Sequence, residues 1–404
     1  MSIRREPFRL FFPLAIALAV AGFTPWLLFA LGLQTTWPGN AHAGLLSRGF
    51  ALAVVTGFLG TMIPRRAQAS PMSLLELALF AGGIGIVIPA SLAGAPVVVA
   101  AAGLAVELTL IAFVGRRLVR RAPGTTIPPS FAFVPVALLL GGAADGIALG
   151  GALAGRPYVA FATRALVVDG LAGGLVLAIA PMITPMICDG APPLRAGVDR
   201  SRARFAALAG LFAVAAVAET GALLAGAPSW LVVAARIARA FVVAWVVFVE
   251  CGALRRPRLP GLYRRLVRIA LTLFAIGATA GALTSSPSLR LALLHLGWIG
   301  GLLLLALAVS VHVVLHHGGR EAEATATPGV LAVASALVVA AALVRAAAPL
   351  LPRAGVAEPT AYASAALLAV VAATLWLAYL GARLRPPRAE PPDRRSSRGA
   401  KMGR

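Results

Sequence analysis

Charge is scarce in this chain: 12% of its 404 residues are charged, against 60% that are hydrophobic. A soluble domain carries about 25% charged and about 45–50% apolar residues, so a water-soluble fold of this length would strand apolar surface in solvent. Only two cysteines are present, Cys188 and Cys251. They are too few and too far apart for a disulfide framework or a structural zinc site. Walker A, GxSxG and HExxH motifs are missing, and so is any internal repeat, which removes the enzyme and solenoid classes those patterns mark. No internal loop reaches twenty residues, so no water-soluble domain is inserted.

What remains is apolar runs. A spanning helix needs about 20 mostly apolar residues, because the hydrocarbon core is about 30 Å thick and a helix rises about 1.5 Å per residue. Runs of that kind lie near 10–31, 45–64, 72–91, 96–115, 131–154, 158–187, 204–224, 229–251, 265–284, 290–315, 329–350 and 359–382. The first is too long for a signal-peptide core and has no cleavage signal behind it, so it is read as a retained span. The fold class expected is all-α: a polytopic transmembrane bundle of about twelve spans over residues 1–385.

Basic residues outnumber acidic ones, 36 to 14, and most of them sit in alternate gaps between the runs. That alternation is the positive-inside pattern rather than a nucleic-acid face, and it places both termini in the cytoplasm. The Pro-, Arg- and Ser-rich stretch 386–404 cannot bury enough surface to order itself and is expected as a basic tail on anionic headgroups. The expected partner is the lipid bilayer, with no nucleic acid.

The five histidines fall at or near the expected membrane faces. His42 and His295 share the outer face, on different spans. Two facing imidazoles from separate helices are what an axial haem pair requires, while an interfacial residue and a buried hydrogen-bond donor is the plainer account. His312 and His316, at i and i+4, share a face at the inner end of the tenth span, with His317 turned away. The sixth span ends nearby in Met182, Met186 and Cys188. Thioether, thiol and imidazole suit Cu(I), and ordinary Met packing is the competing account.

Ionisable residues inside a bilayer need a partner or a wet cavity. Glu107, Asp145, Arg164, Asp169, Glu219, Arg236, Arg239 and Arg345 all lie within spans. Arg164, like His295 near the outer face, suits a haem propionate or another anion. Arg236 and Arg239, at i and i+3, form one positive face that nearby acids would neutralise. A proton or ion path through Asp145 and Asp169 is the transporter reading of the same residues.

Three separated stretches resemble the NnrS family of twelve-span bacterial inner-membrane proteins. They are Pro7-Phe8-Arg9-Leu10-Phe11-Phe12-Pro13, the segment from His42 through Gly49-Phe50 to Pro64, and the segment from Leu294-His295 through Gly300 to His317-Gly318-Gly319-Arg320. Arg164 and Pro181-Met182-Ile183-Thr184 sit where the family has an Arg and a GRxxPxFT stretch. The resemblance implies haem and copper binding and a role in the nitric oxide response, nitrosative stress or denitrification-linked NO handling. It implies metal binding through the surviving His42, His295 and His317; the haem reading takes His42 and His295 with Arg164 as anchor, and the copper reading of the residue types takes His312, His316, His317, Met186 and Cys188. The chain also departs from the family: HxHEM stands here as His42-Ala43-Gly44-Leu45-Leu46, and the Arg of GRxxPxFT is Ala178. One metal site, the copper, is therefore expected to be lost or rebuilt. A small-molecule or ion transporter and a metal-free scaffold of the same fold are the alternatives.

Overall fold

The computed structural model describes residues 3–163, 165–191 and 199–384. Its twelve long apolar helices match the twelve runs one for one. Spans 1 to 6 are Phe8–Ala30, Gly39–Arg66, Leu74–Leu92, Pro96–Val119, Pro129–Leu153 and Leu166–Asp189. Spans 7 to 12 are Ser201–Ala225, Ser229–Glu250, Leu262–Leu283, Pro287–His317, Gly329–Pro352 and Glu358–Gly381. No strand occurs among the described residues. The chain is a multi-pass, all-α membrane protein.

The run 158–187 is not one continuous helix. Pro157–Ala162 forms a short helix of its own before span 6 begins. Val159 sits directly over Gly151, a position without room for a Cβ, so the short helix folds back onto the end of span 5. Span 2 starts earlier than its apolar run, at Gly39, and thereby takes His42 into helix.

Consecutive spans pack as antiparallel neighbours, and span 12 closes the bundle by lying between spans 1 and 11. Spans 9 and 10 approach most closely: a Cβ on Gly277 would overlap the backbone of Gly297. Lipid supplies no hydrophobic drive between helices, so small residues that admit close backbone contact are how such pairs gain dispersion energy.

An even number of crossings returns the chain to its starting face. Arg9 donates to the Leu384 carbonyl, and the Glu6 carboxylate accepts from His317 Nδ1 at 3.1 Å and from Arg65 at 3.2 Å. The start of span 1 and the ends of spans 2, 10 and 12 therefore share one face, the terminal face. His42 and His295 lie toward the opposite one.

Among the described residues four spans contain π-helical segments: Leu45–Ala51 and Leu296–Leu303 interrupt spans 2 and 10, Ala165–Gly173 opens span 6 and Trp245–Glu250 ends span 8. A π turn holds an extra residue, so side chains beyond it change face, and such turns concentrate at functional sites. Two of the four begin within three residues of His42 and immediately after His295.

Candidate functional site

His42, near the start of span 2, and His295, two turns into span 10, come together as sidedness predicted. Their ring centroids are 6.4 Å apart and the ring planes are inclined by only 17°. His42 Nδ1 is 2.9 Å from the Gly22 carbonyl and His295 Nδ1 is 2.7 Å from the Leu291 carbonyl. A carbonyl only accepts, so each Nδ1 carries the proton that it donates. A metal-binding histidine is ordinarily fixed in this way, by donating its second nitrogen to a carbonyl or carboxylate.

Both rings line a cavity of about 880 Å³ formed chiefly by spans 2, 6 and 10, with spans 1, 4 and 12 contributing to its wall. Its wall is mostly apolar, with a few polar groups. Trp26 edges onto His42 at 6.0 Å, and Trp298 lies 4.9 Å from His295. Arg48, Arg156, Arg345 and Tyr362 supply the polar lining. Arg345 lies 4.4 Å from the Tyr362 ring, and its Nη1 is buried without a hydrogen-bond partner. Arg345 is thus a cation held on the wall of the cavity that the two histidines line. Arg164 lies outside the described residues, as does 386–404.

Trp298 Nε1 donates to Asp169 at 3.2 Å, linking the cavity wall to an ion network. Asp169 pairs with Arg239 at 3.0 Å, and Glu219 pairs with Arg236 at 2.8 Å, Arg239 at 2.5 Å and Arg290 at 2.9 Å. Arg236 and Arg239 do form one positive face neutralised by acids. Asp145 belongs elsewhere, with Arg48. The two aspartates of the expected ion path thus sit in separate clusters.

The residues considered for copper are distributed differently. His312 and His316 stack at 5.7 Å, and the Tyr263 hydroxyl is 3.4 Å from His312 Nδ1. His317 is engaged on both nitrogens, by Glu6 at Nδ1 and by Arg65 at Nε2, each at 3.1 Å. Cys188 is buried and donates to the Arg264 carbonyl at 3.4 Å, and Met186 packs against the core. Among the described residues, no three His, Cys, Asp or Glu side chains lie close enough to hold one metal ion together.

Sequence reasoning passed over Arg48, which stands alone among charges inside the run 45–64; that isolation was the available signal. It also could not find the anchoring carbonyls of Gly22 and Leu291, because backbone acceptors carry no sequence mark.

Fold and site together define a polytopic membrane protein whose bundle encloses an apolar cavity flanked by paired imidazoles. A family model described as NnrS protein matches residues 2–388, nearly the whole chain. The protein belongs to the NnrS family. No curated protein matches the chain.

Proposed function

We propose that the cavity holds a haem between His42 and His295, and that the protein acts in the nitric oxide response as an NnrS-like haem-binding membrane protein. The observation that carries this reading is the imidazole pair itself. Two imidazoles bound to one metal at about 2.0–2.1 Å have ring centroids about 6 Å apart, close to the spacing found here. Both Nδ1 atoms donate to carbonyls, so Nε2 is the nitrogen of each ring that would bind the iron. Among the described residues no third His, Cys, Asp or Glu joins the pair, and a donor set of two histidines suits a haem better than a chelated ion. The cavity volume falls within the usual range of about 300–1,000 Å³ for cofactor and ligand sites.

Each residue then has a defined task. His42 and His295 bind, and the Gly22 and Leu291 carbonyls fix the tautomer and orientation of the rings. Arg345 offers the buried Nη1 to an anionic substituent such as a propionate, the role expected of Arg164. Phe23, Trp26 and Trp298 surround the imidazoles with aromatic surface that excludes water. When bound, a haem would supply one-electron chemistry, and its iron would take a diatomic ligand only in place of one of the two imidazoles.

The test is haem content. Purified protein should show a Soret band and a positive pyridine haemochrome, both lost in His42→Ala and in His295→Ala. Wild-type protein expressed with ample haem and lacking both signals removes the proposal.

A further inference from the structure

A second buried site lies beside the cavity, on spans 4 and 5. Glu107 is 0% exposed, and neither of its carboxyl oxygens has a hydrogen-bond partner. Asp145, also 0% exposed, accepts from Arg48 Nε at 2.7 Å through Oδ1, while its Oδ2 is buried without a partner.

The two acids occupy reciprocal niches. Glu107 follows Gly103 by four residues on span 4, and Asp145 follows Gly141 by four on span 5, so each pair shares a helix face. A Cβ on Gly141 would stand 2.7 Å from Glu107 Oε1, and a Cβ on Gly103 would overlap Asp145 Oδ2. Each helix thus leaves out a side chain where the other helix places its carboxyl. Two such vacancies, mirrored across one interface, mark a built site.

Charge does not balance there. Among the described residues, the groups facing the pair are Arg48 from span 2 and the two acids themselves, while span 6 contributes Leu171. The acid of span 3, Glu76, is tied to Arg116 and Arg117. Arg117 lies ten residues further along span 4 than Glu107, about 15 Å away by helical rise. Two carboxyl groups therefore share one guanidinium. A carboxylate without donors inside a membrane is strongly disfavoured, and two like charges in one site do not both ionise.

We propose that Glu107 and Asp145 form an intramembrane proton-binding site that carries one proton at neutral pH, held chiefly on Glu107, with Arg48 balancing the remaining carboxylate. Loss of that proton leaves two negative charges facing one positive charge; gain of a second frees Arg48 from its partner. Arg48 also lines the histidine cavity, so a change of charge in the cavity alters the proton load of the pair. The site itself does not depend on what the histidines hold.

Infrared spectroscopy of the full-length protein in lipid nanodiscs tests this, through the C=O stretch of a protonated carboxyl and its shift in D2O. Wild type should show a buried, slowly exchanging band at neutral pH. Glu107→Gln should abolish it and melt with the wild type, because a neutral amide replaces a neutral acid. Asp145→Asn should also abolish it although Glu107 is present, since Arg48 then demands an ionised Glu107. Arg48→Gln should roughly double it, because one guanidinium no longer holds one carboxylate charged. A wild type without the band, or a band unchanged by Glu107→Gln, overturns the proposal whatever the other two variants do. If Asp145→Asn folds and keeps the band, the sharing of one proton is refuted.

Discussion

The protein carries histidines toward both ends of its bundle, and their surroundings differ in kind. His42 and His295 give one nitrogen to a backbone carbonyl and line a large cavity. At the terminal face, His317 gives both nitrogens to side chains, Glu6 and Arg65, and His312 leans on Tyr263. A backbone carbonyl orients the ring on a cavity wall without adding a charge beside it. Satisfaction by charged side chains makes the ring a strut between helices. Under the haem proposal the same residue type serves binding in one place and architecture in the other, and the partners tell them apart.

Replacing either ring of the cavity pair should have the largest effect on that contrast. His42→Ala or His295→Ala is expected to lower haem content at least about tenfold, whereas His317→Ala should keep it and lower the unfolding temperature instead. Loss of haem in His317→Ala alone would erase the distinction between the two ends.

Next in size is the acid at the centre of the ion network behind Trp298. Glu219 is fully buried and serves three arginines, so Glu219→Gln leaves buried cations uncompensated. Breaking such a pair costs about 3–5 kcal/mol, read as a loss of thermal stability in detergent. A variant as stable as wild type would show that solvent reaches the network.

The terminal face gives a smaller effect with a pH signature. Burial alone would raise the Glu6 carboxyl, but hydrogen bonds from Arg9 and His317, with their charges, prevail and hold it below the usual carboxylate range. A depressed folded value stabilises fully above the pH where the unfolded carboxyl titrates, and that stability is lost as pH falls through the folded value. Glu6→Gln should therefore cost about 1.5–3 kcal/mol near neutral pH, with the gap to wild type closing in acid. A gap independent of pH would mean that Glu6 acts by shape and not by charge.

Least severe is Gly277→Ala, expected to destabilise by about 1–3 kcal/mol because a Cβ must push span 9 off the Gly297 backbone. Any loss of haem accompanying it would show that the placement of His295, two residues before Gly297, depends on this contact.

The twelve crossings were legible because membrane insertion imposes length and hydrophobicity on each span separately, and the basic gaps mark alternate faces. The pairing of His42 with His295 was legible in outline too, since sidedness is a property of position along the chain. The break before span 6 was not, because it follows from Val159 packing over Gly151, a contact between segments. Arg48 shows the same limit from the other direction: its place in an apolar run was visible, but its carboxylate partner lies 97 residues away.

By itself the sequence determined the solvent, the number of crossings and the faces on which its histidines and arginines lie, because those depend on local hydrophobicity and charge. Only the tertiary structure decided which imidazole is anchored by a carbonyl, which arginine borders the cavity and which two acids share a single cation. Those choices are made by atoms from distant parts of the chain, where glycines and π turns set how closely, and at what angle, the helices meet.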